Sequence, residues 1–206
     1  MEEKRKLKAV VFDMGGVLLK TVDPLPREQL AHRYSMTRPE LEALVFGSGF
    51  SHQAEVGSIS REQYWYEVAT AVGEDNMNMP EFVENFFSGD SLDKQLMQFA
   101  CSLKPRYRLG LLSNAFIDAR KDLHTRFGFL DIFDVSIFSY EVKVRKPDPR
   151  IFKIMLDRLG IQPEETVFID DLSVNVESAC KVGLQAIQFK SREQVLEELS
   201  ALLSQV

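Results

Sequence analysis

Ala9-Val10-Val11-Phe12-Asp13-Met14-Gly15-Gly16-Val17-Leu18 is the stretch from which the rest of the chain can be read. Val10 to Phe12 form a short apolar run that stops at a carboxylate and then two glycines, which is the pattern of a buried strand entering a tight turn. Beyond residue 90 the same kind of run recurs at Leu109 to Leu112, Val135 to Phe138, Val167 to Ile169 and Ala186 to Phe189. Helical patterns near 91–103, 118–127, 149–159, 173–182 and 192–204 separate these runs. Such βαβ alternation predicts an α/β fold, a Rossmann-like parallel sheet with helices on both faces. Right-handed crossovers then gather the strand C-termini on one edge, where open α/β sheets bind ligands.

Residues 21–90 break that rhythm. Helical patterns around 26–35, 37–47, 60–73 and 79–88 alternate with turns such as Gly47-Ser48-Gly49, which predicts a small all-α insertion. It leaves and re-enters beside the end of the first strand, so it is expected to sit over that edge as a cap. The expected division is a core domain of residues 1–20 and 91–206 and a cap of residues 21–90.

A chain of 206 residues can bury a sizeable core in one domain, or in a core domain with a smaller insertion. The 25 Lys+Arg stand against 31 Asp+Glu, a net charge of -6, and the basic run stops at Lys4, Arg5 and Lys6. No nucleic-acid partner is expected from this balance. The apolar run Ala9 to Phe12 is far too short for a signal-peptide core or a membrane span, so a cytoplasmic protein is expected. Cys101 and Cys180 fall inside helical patterns with no second Cys or His at ligand spacing, and both are read as buried thiols.

Four polar signals fall at predicted strand ends. Asp13, backed by glycines, suits nucleophilic attack or metal binding, and equally suits capping the turn that follows it. Ser113-Asn114 offers a hydroxyl and backbone amides for phosphoryl oxygens, or is an ordinary polar turn. In Arg145-Lys146-Pro147-Asp148-Pro149, Asp148 and Pro149 are explained as an N-cap and a first helical residue. Lys146 is left over, either to neutralise a phosphoryl group at the strand ends or to be a solvated lysine. Asp170-Asp171, the strongest of the four, places two carboxylates side by side after a buried strand, where they repel unless a cation such as Mg²⁺ or hydrogen-bond donors compensate; a helix N-terminus collecting acidic residues is the alternative, and together with Asp13 the metal reading is preferred.

Taken in order, Asp13, Ser113-Asn114, Lys146-Pro147-Asp148-Pro149 and Asp170-Asp171 with Asn175 resemble the four motifs of the haloacid dehalogenase-like hydrolase superfamily, phosphatase type, with a helical cap inserted after the first motif. The resemblance implies that Asp13 attacks the substrate to form a covalent aspartyl intermediate. It implies Mg²⁺ held by Asp13, Asp170 and the Gly15 carbonyl, with Asp171 and Asn175 behind them. Met14, Gly15, Ser113, Asn114 and Lys146 would contact a small phosphorylated substrate, in a monomer or a homodimer.

One departure is visible. Family phosphatases usually carry a second Asp two residues after the nucleophile as proton shuttle, and this chain has Gly15 there; such a shuttle is typically worth about 10²–10⁴-fold in rate. Activity is then slow, limited to good leaving groups, assisted from the cap by His52 or Glu55, or absent. Two rival readings stay open: a 2-haloacid dehalogenase-type hydrolase, and a phosphate- or metabolite-binding regulatory protein without turnover. His52 reads first as a plain loop histidine. His32 and His124 need no role, and Tyr64, Trp65 and Tyr66 read first as cap core.

Overall fold

The computed structural model describes residues 6–74 and 76–204; Lys4 and Arg5 of the basic run lie outside these residues. β1 (Ala9–Phe12) and β2 (Leu19–Thr21) lead into helices α1 (Leu25–Arg33), α2 (Arg38–Gly47), α3 (Gly49–Glu55), α4 (Arg61–Val72) and α5 (Met79–Phe87). The chain returns through β3 (Asp90–Leu92) and α6 (Lys94–Leu103) to β4 (Arg108–Ser113), α7 (Ala119–Phe127), β5 (Val135–Phe138) and α8 (Ser139–Val142). It ends with α9 (Pro149–Leu159), β6 (Thr166–Asp170), α10 (Ser173–Val182), β7 (Gln185–Gln188) and α11 (Arg192–Ser204). Five strands pair in the order β5-β4-β1-β6-β7, every pairing parallel.

Period-two alternation on β1 explains the two layers. Val10 and Phe12 face one side, where they meet Leu96, Met97 and Ala100 of α6 and Val195 and Leu199 of α11. Ala9 and Val11 face the other, against Ile151, Phe152 and Met155 of α9 and Ala179 of α10. The four β1 side chains are at most 1% exposed, and the larger ones each contribute about 1.5–3 kcal/mol by leaving water. α9 shows how local signals set an element: Asp148 accepts from the Arg150 amide at its N-terminus, Pro149 fills the first position, and Gly160 ends it at φ 66°.

Helices α1–α5 enclose a third apolar cluster that includes Leu30, Leu41, Val45, Tyr64, Trp65, Phe82 and Phe86. This helical unit joins the sheet through an antiparallel ribbon in which β2 pairs with β3. The expected division points, 20/21 and 90/91, fall inside these two strands. Asp23 and Val22 both donate to the Gly89 carbonyl, and a Cβ on Gly89 would stand 1.9 Å from the Asp23 carbonyl oxygen, so only glycine fits that crossing.

Three expectations are corrected. Cys101 and Cys180 are exposed free thiols. Each follows an inward residue, Ala100 or Ala179, and one helical step turns the side chain about 100° toward solvent. Tyr64 and Trp65 are core as expected, but Tyr66 is 59% exposed for the same reason. The Gly47-Ser48-Gly49 turn is a tight junction: Ser48 ends α2 and caps α3 by accepting from the Ser51 amide at 3.1 Å. Among the described residues no helix is long and apolar enough to cross a membrane.

Candidate active site

Parallel pairing brings the ends of β1, β4 and β6 to one edge. The Asp13 amide donates to the Ile169 carbonyl at 2.8 Å, carrying the β1–β6 ladder one residue past the strand and fixing Asp13 on the rim. Asp170 ends β6, and Lys146 arrives from the turn before α9. Its Nζ lies 2.7 Å from Asp13 Oδ1 and 2.6 Å from Asp170 Oδ2, so one ammonium bridges the two strand ends. All three groups are buried. Asp171, half-buried, joins Asp13 and Asp170 with carboxylate oxygens within 4.8 Å of one another.

The charges explain one another. Burial works against the Lys146 ammonium, but Asp13 and Asp170 outweigh it and hold its pKa above that of an ordinary lysine. Burial pushes the Asp13 carboxyl up and Asp170 adds to that, while Lys146 pulls it down. Asp171 is raised by burial and then by the charge of Asp170. Three carboxylates facing one ammonium leave an excess of negative charge in a buried space. Hard oxygen donors in that number and spacing suit a divalent cation such as Mg²⁺.

The neighbouring sequence-predicted residues come together with different partners. Asn175 donates to both oxygens of Asp170, at 2.9 and 3.0 Å, and the Leu172 amide donates to Asp170 Oδ1 at 2.9 Å, which locks that carboxylate. Ser113 is buried at the end of β4 and donates to the Asn114 carbonyl at 3.2 Å. Asn114 spends both ends of its amide on the Lys146 backbone: Nδ2 donates to the carbonyl at 3.0 Å, and Oδ1 accepts from the amide at 2.8 Å. Its side chain therefore holds the lysine loop. Ser178 adds a hydrogen bond to the Pro147 carbonyl at 2.5 Å, beyond the cis Lys146–Pro147 bond.

Met14 packs against the sheet core while Gly15 is exposed, with open space where a Cβ would be. Gly16 differs: φ is +78°, and a Cβ there would lie 2.4 Å from Asp171 Oδ2. From the helical unit, His52 sits on α3, not in a loop, and is exposed; burial and then Arg145 lower its pKa. Glu55 is buried at the end of α3 and accepts from Arg145 Nε at 2.5 Å. Sequence reasoning missed Arg145, whose partner lies 90 residues away. It also missed Phe116, which enters the helical unit's core and stacks on Tyr64 with centroids 4.4 Å apart. Its place two residues after Asn114 was the available hint.

Comparison with known proteins agrees with this geometry. Residues 7–183 match the family model described as haloacid dehalogenase-like hydrolase. The chain is 29% identical over 97% of its length to mouse (Mus musculus) acyl-CoA dehydrogenase family member 10, but spans only 19% of that protein's length. It is 30% identical to the phosphorylated carbohydrates phosphatase of Thermotoga maritima, over 88% of this chain and 84% of that one. A solved HAD family enzyme of Bacteroides thetaiotaomicron, in complex with magnesium and inorganic phosphate, superimposes with a TM-score of 0.76 at 25% identity, covering 90% of this chain and 96% of that one. With more than half of its length matched by the family model and its fold shared with a solved member, the chain belongs to the haloacid dehalogenase-like hydrolases.

Proposed function

We propose that this chain is a Mg²⁺-dependent phosphatase of small organic phosphomonoesters, with Asp13 as nucleophile. The observation that carries the reading is the Lys146 ammonium bridging Asp13 and Asp170, with Asp171 beside them, at a strand end followed two residues on by the exposed Gly15. Lys146 holds the Asp13 carboxylate for attack and faces the incoming phosphoryl oxygens. An Asp13 oxygen forms a bond to phosphorus as the ester P–O bond breaks, and the departing alkoxide takes a proton from solvent water to leave as the alcohol. Water then attacks the aspartyl phosphate, releasing inorganic phosphate and restoring Asp13. Ser113 and the backbone amides near it receive phosphoryl oxygens, while Asn114 works by fixing the Lys146 loop. Asp13, Asp170 and the Gly15 carbonyl would hold Mg²⁺, with Asp171 and Asn175 around them. When bound, the ion supplies positive charge to the transferring phosphoryl group. In this reading α1–α5 form the cap and the sheet with its flanking helices the core. The phosphatase activities in the names of relatives, phosphorylated carbohydrates phosphatase among them, support the substrate class.

A panel of phosphomonoesters and 2-haloacids, assayed with Mg²⁺ and with chelator, tests the reading. Mg²⁺-dependent phosphate release is expected, with a rise in Tm at millimolar Mg²⁺ because the ion binds the folded state. Metal-independent halide release, or no hydrolysis of any ester, would overturn it.

A further inference from the structure

Beside Lys146 in the chain, Arg145 meets a buried carboxylate of the helical unit. Glu55 is 6% exposed, and its Oε2 takes the Nε–H of Arg145, the residue beside Lys146. The turn after α3 lies directly on the segment that carries these cations: Lys143 Nζ donates to the Gly57 carbonyl at 3.2 Å, and a Cβ on Gly57 would stand 3.2 Å from the Tyr140 carbonyl oxygen. Glu55 is thus held in place from both sides of the junction. Burial raises its pKa, against the pull of Arg145 and then of Lys146, so the Lys146 charge reaches this carboxyl.

The consequence concerns the part of a substrate beyond its phosphoryl group. Arg145 would be the natural receiver for a second anionic group, but Glu55 already pairs with it, and a second anion would meet the Glu55 carboxylate itself. Like charges in a partly dry space repel strongly. Glu55 Oε1, which accepts no hydrogen bond among the described residues, can instead accept from a substrate hydroxyl. We infer that the Glu55–Arg145 pair selects monophosphates whose remainder is uncharged and hydroxyl-bearing, and rejects those with a carboxylate or a second phosphate. The inference rests on the phosphatase reading.

The test compares kcat/KM for a polyol monophosphate with that for 2-phosphoglycolate and for a sugar bisphosphate, all with Mg²⁺. The wild type is expected to favour the polyol ester at least tenfold. Glu55→Gln releases Arg145 and is expected to raise the acidic-to-neutral ratio at least tenfold; Arg145→Gln, leaving Glu55 alone, lowers it. Each ratio is taken within one variant, so partial misfolding cancels. Should Glu55→Gln not fold, the double variant Glu55→Gln/Arg145→Gln, which removes both charges, is read instead and is expected to bring the ratio near one. Equal or better wild-type activity on the acidic esters, or a ratio unmoved in a folded variant, overturns the inference and leaves the phosphatase reading standing. Failure of the wild type on every ester overturns both.

Discussion

Lys146 and Arg27 are both buried cations, yet the two regions that hold them use them in opposite ways. In the helical unit, Arg27 donates to the Phe86 carbonyl, to Glu42 and to both oxygens of Asp90, and lies 4.2 Å from the Phe86 ring centroid. Arg38 stands 3.7 Å from the same Glu42, so two cations answer two carboxylates. Nothing in that cluster calls for a further ligand: it ties α1 to α2, α5 and β3. At the sheet edge one ammonium faces Asp13, Asp170 and Asp171, and the shortfall of positive charge lies beside an open space at Gly15. A saturated buried cation is scaffold; an unbalanced one beside an opening is a place for chemistry.

The sharpest way to break this comparison is Asp13→Asn. The amide keeps the shape but is a poor nucleophile, so turnover should fall by at least about 10⁴-fold while the thermal transition persists. Phosphate release and a melting curve check it; wild-type turnover would return Asp13 to the role of a turn cap. The next effect is on stability. Arg27→Met leaves Asp90 without its cation and Glu42 with Arg38 alone, and should cost about 3–5 kcal/mol, the usual result of removing one partner from a buried ion pair. Denaturant titration reads that loss. If kcat of the folded fraction fell as well, Arg27 would be more than scaffold.

The same contrast separates what was legible in the sequence from what was not. In the sheet region, strand β5 and helices α9, α10 and α11 have the bounds that apolar runs and caps predicted, because each is written in consecutive residues. The β2–β3 ribbon was not legible: each strand has three residues, and Thr21 pairs with Asp90 across 69 positions. Helix α3 was hidden because its Ser48 cap sits between two glycines that also signal a turn. Asp13, Lys146 and Asp170 were readable as strand-end signals, and the structure brings their side chains into contact. That the Asn114 side chain spends itself on the Lys146 backbone was not legible, since a polar residue at a strand end says nothing of which neighbour it binds. Glu55 was a candidate without a partner until the fold brought Arg145 to it.

The smallest expected effect, and the most informative, comes from the two adjacent glycines. Their surroundings differ although their sequence signal is the same. Gly16 has positive φ and its missing Cβ would strike Asp171, so Gly16→Ala should cost about 1–3 kcal/mol through backbone strain, and more if Asp171 must move. Gly15 has no positive φ, and an added Cβ meets open space, so Gly15→Asp carries neither cost. It would put a carboxyl where family phosphatases usually have their proton shuttle. If the site lacks only that group, turnover on esters with poor leaving groups should rise by about 10–100-fold, the lower part of what general acid catalysis usually contributes. Activated aryl esters need little protonation and should gain less in the first step. The comparison to make is therefore the ratio of gains on alkyl and aryl phosphates, with melting curves for both glycine variants. A folded Gly15→Asp enzyme with unchanged rates on both would mean that another group already moves the proton. Glu55→Gln in that background then decides whether it is Glu55, because only in that case do alkyl esters lose more than aryl ones.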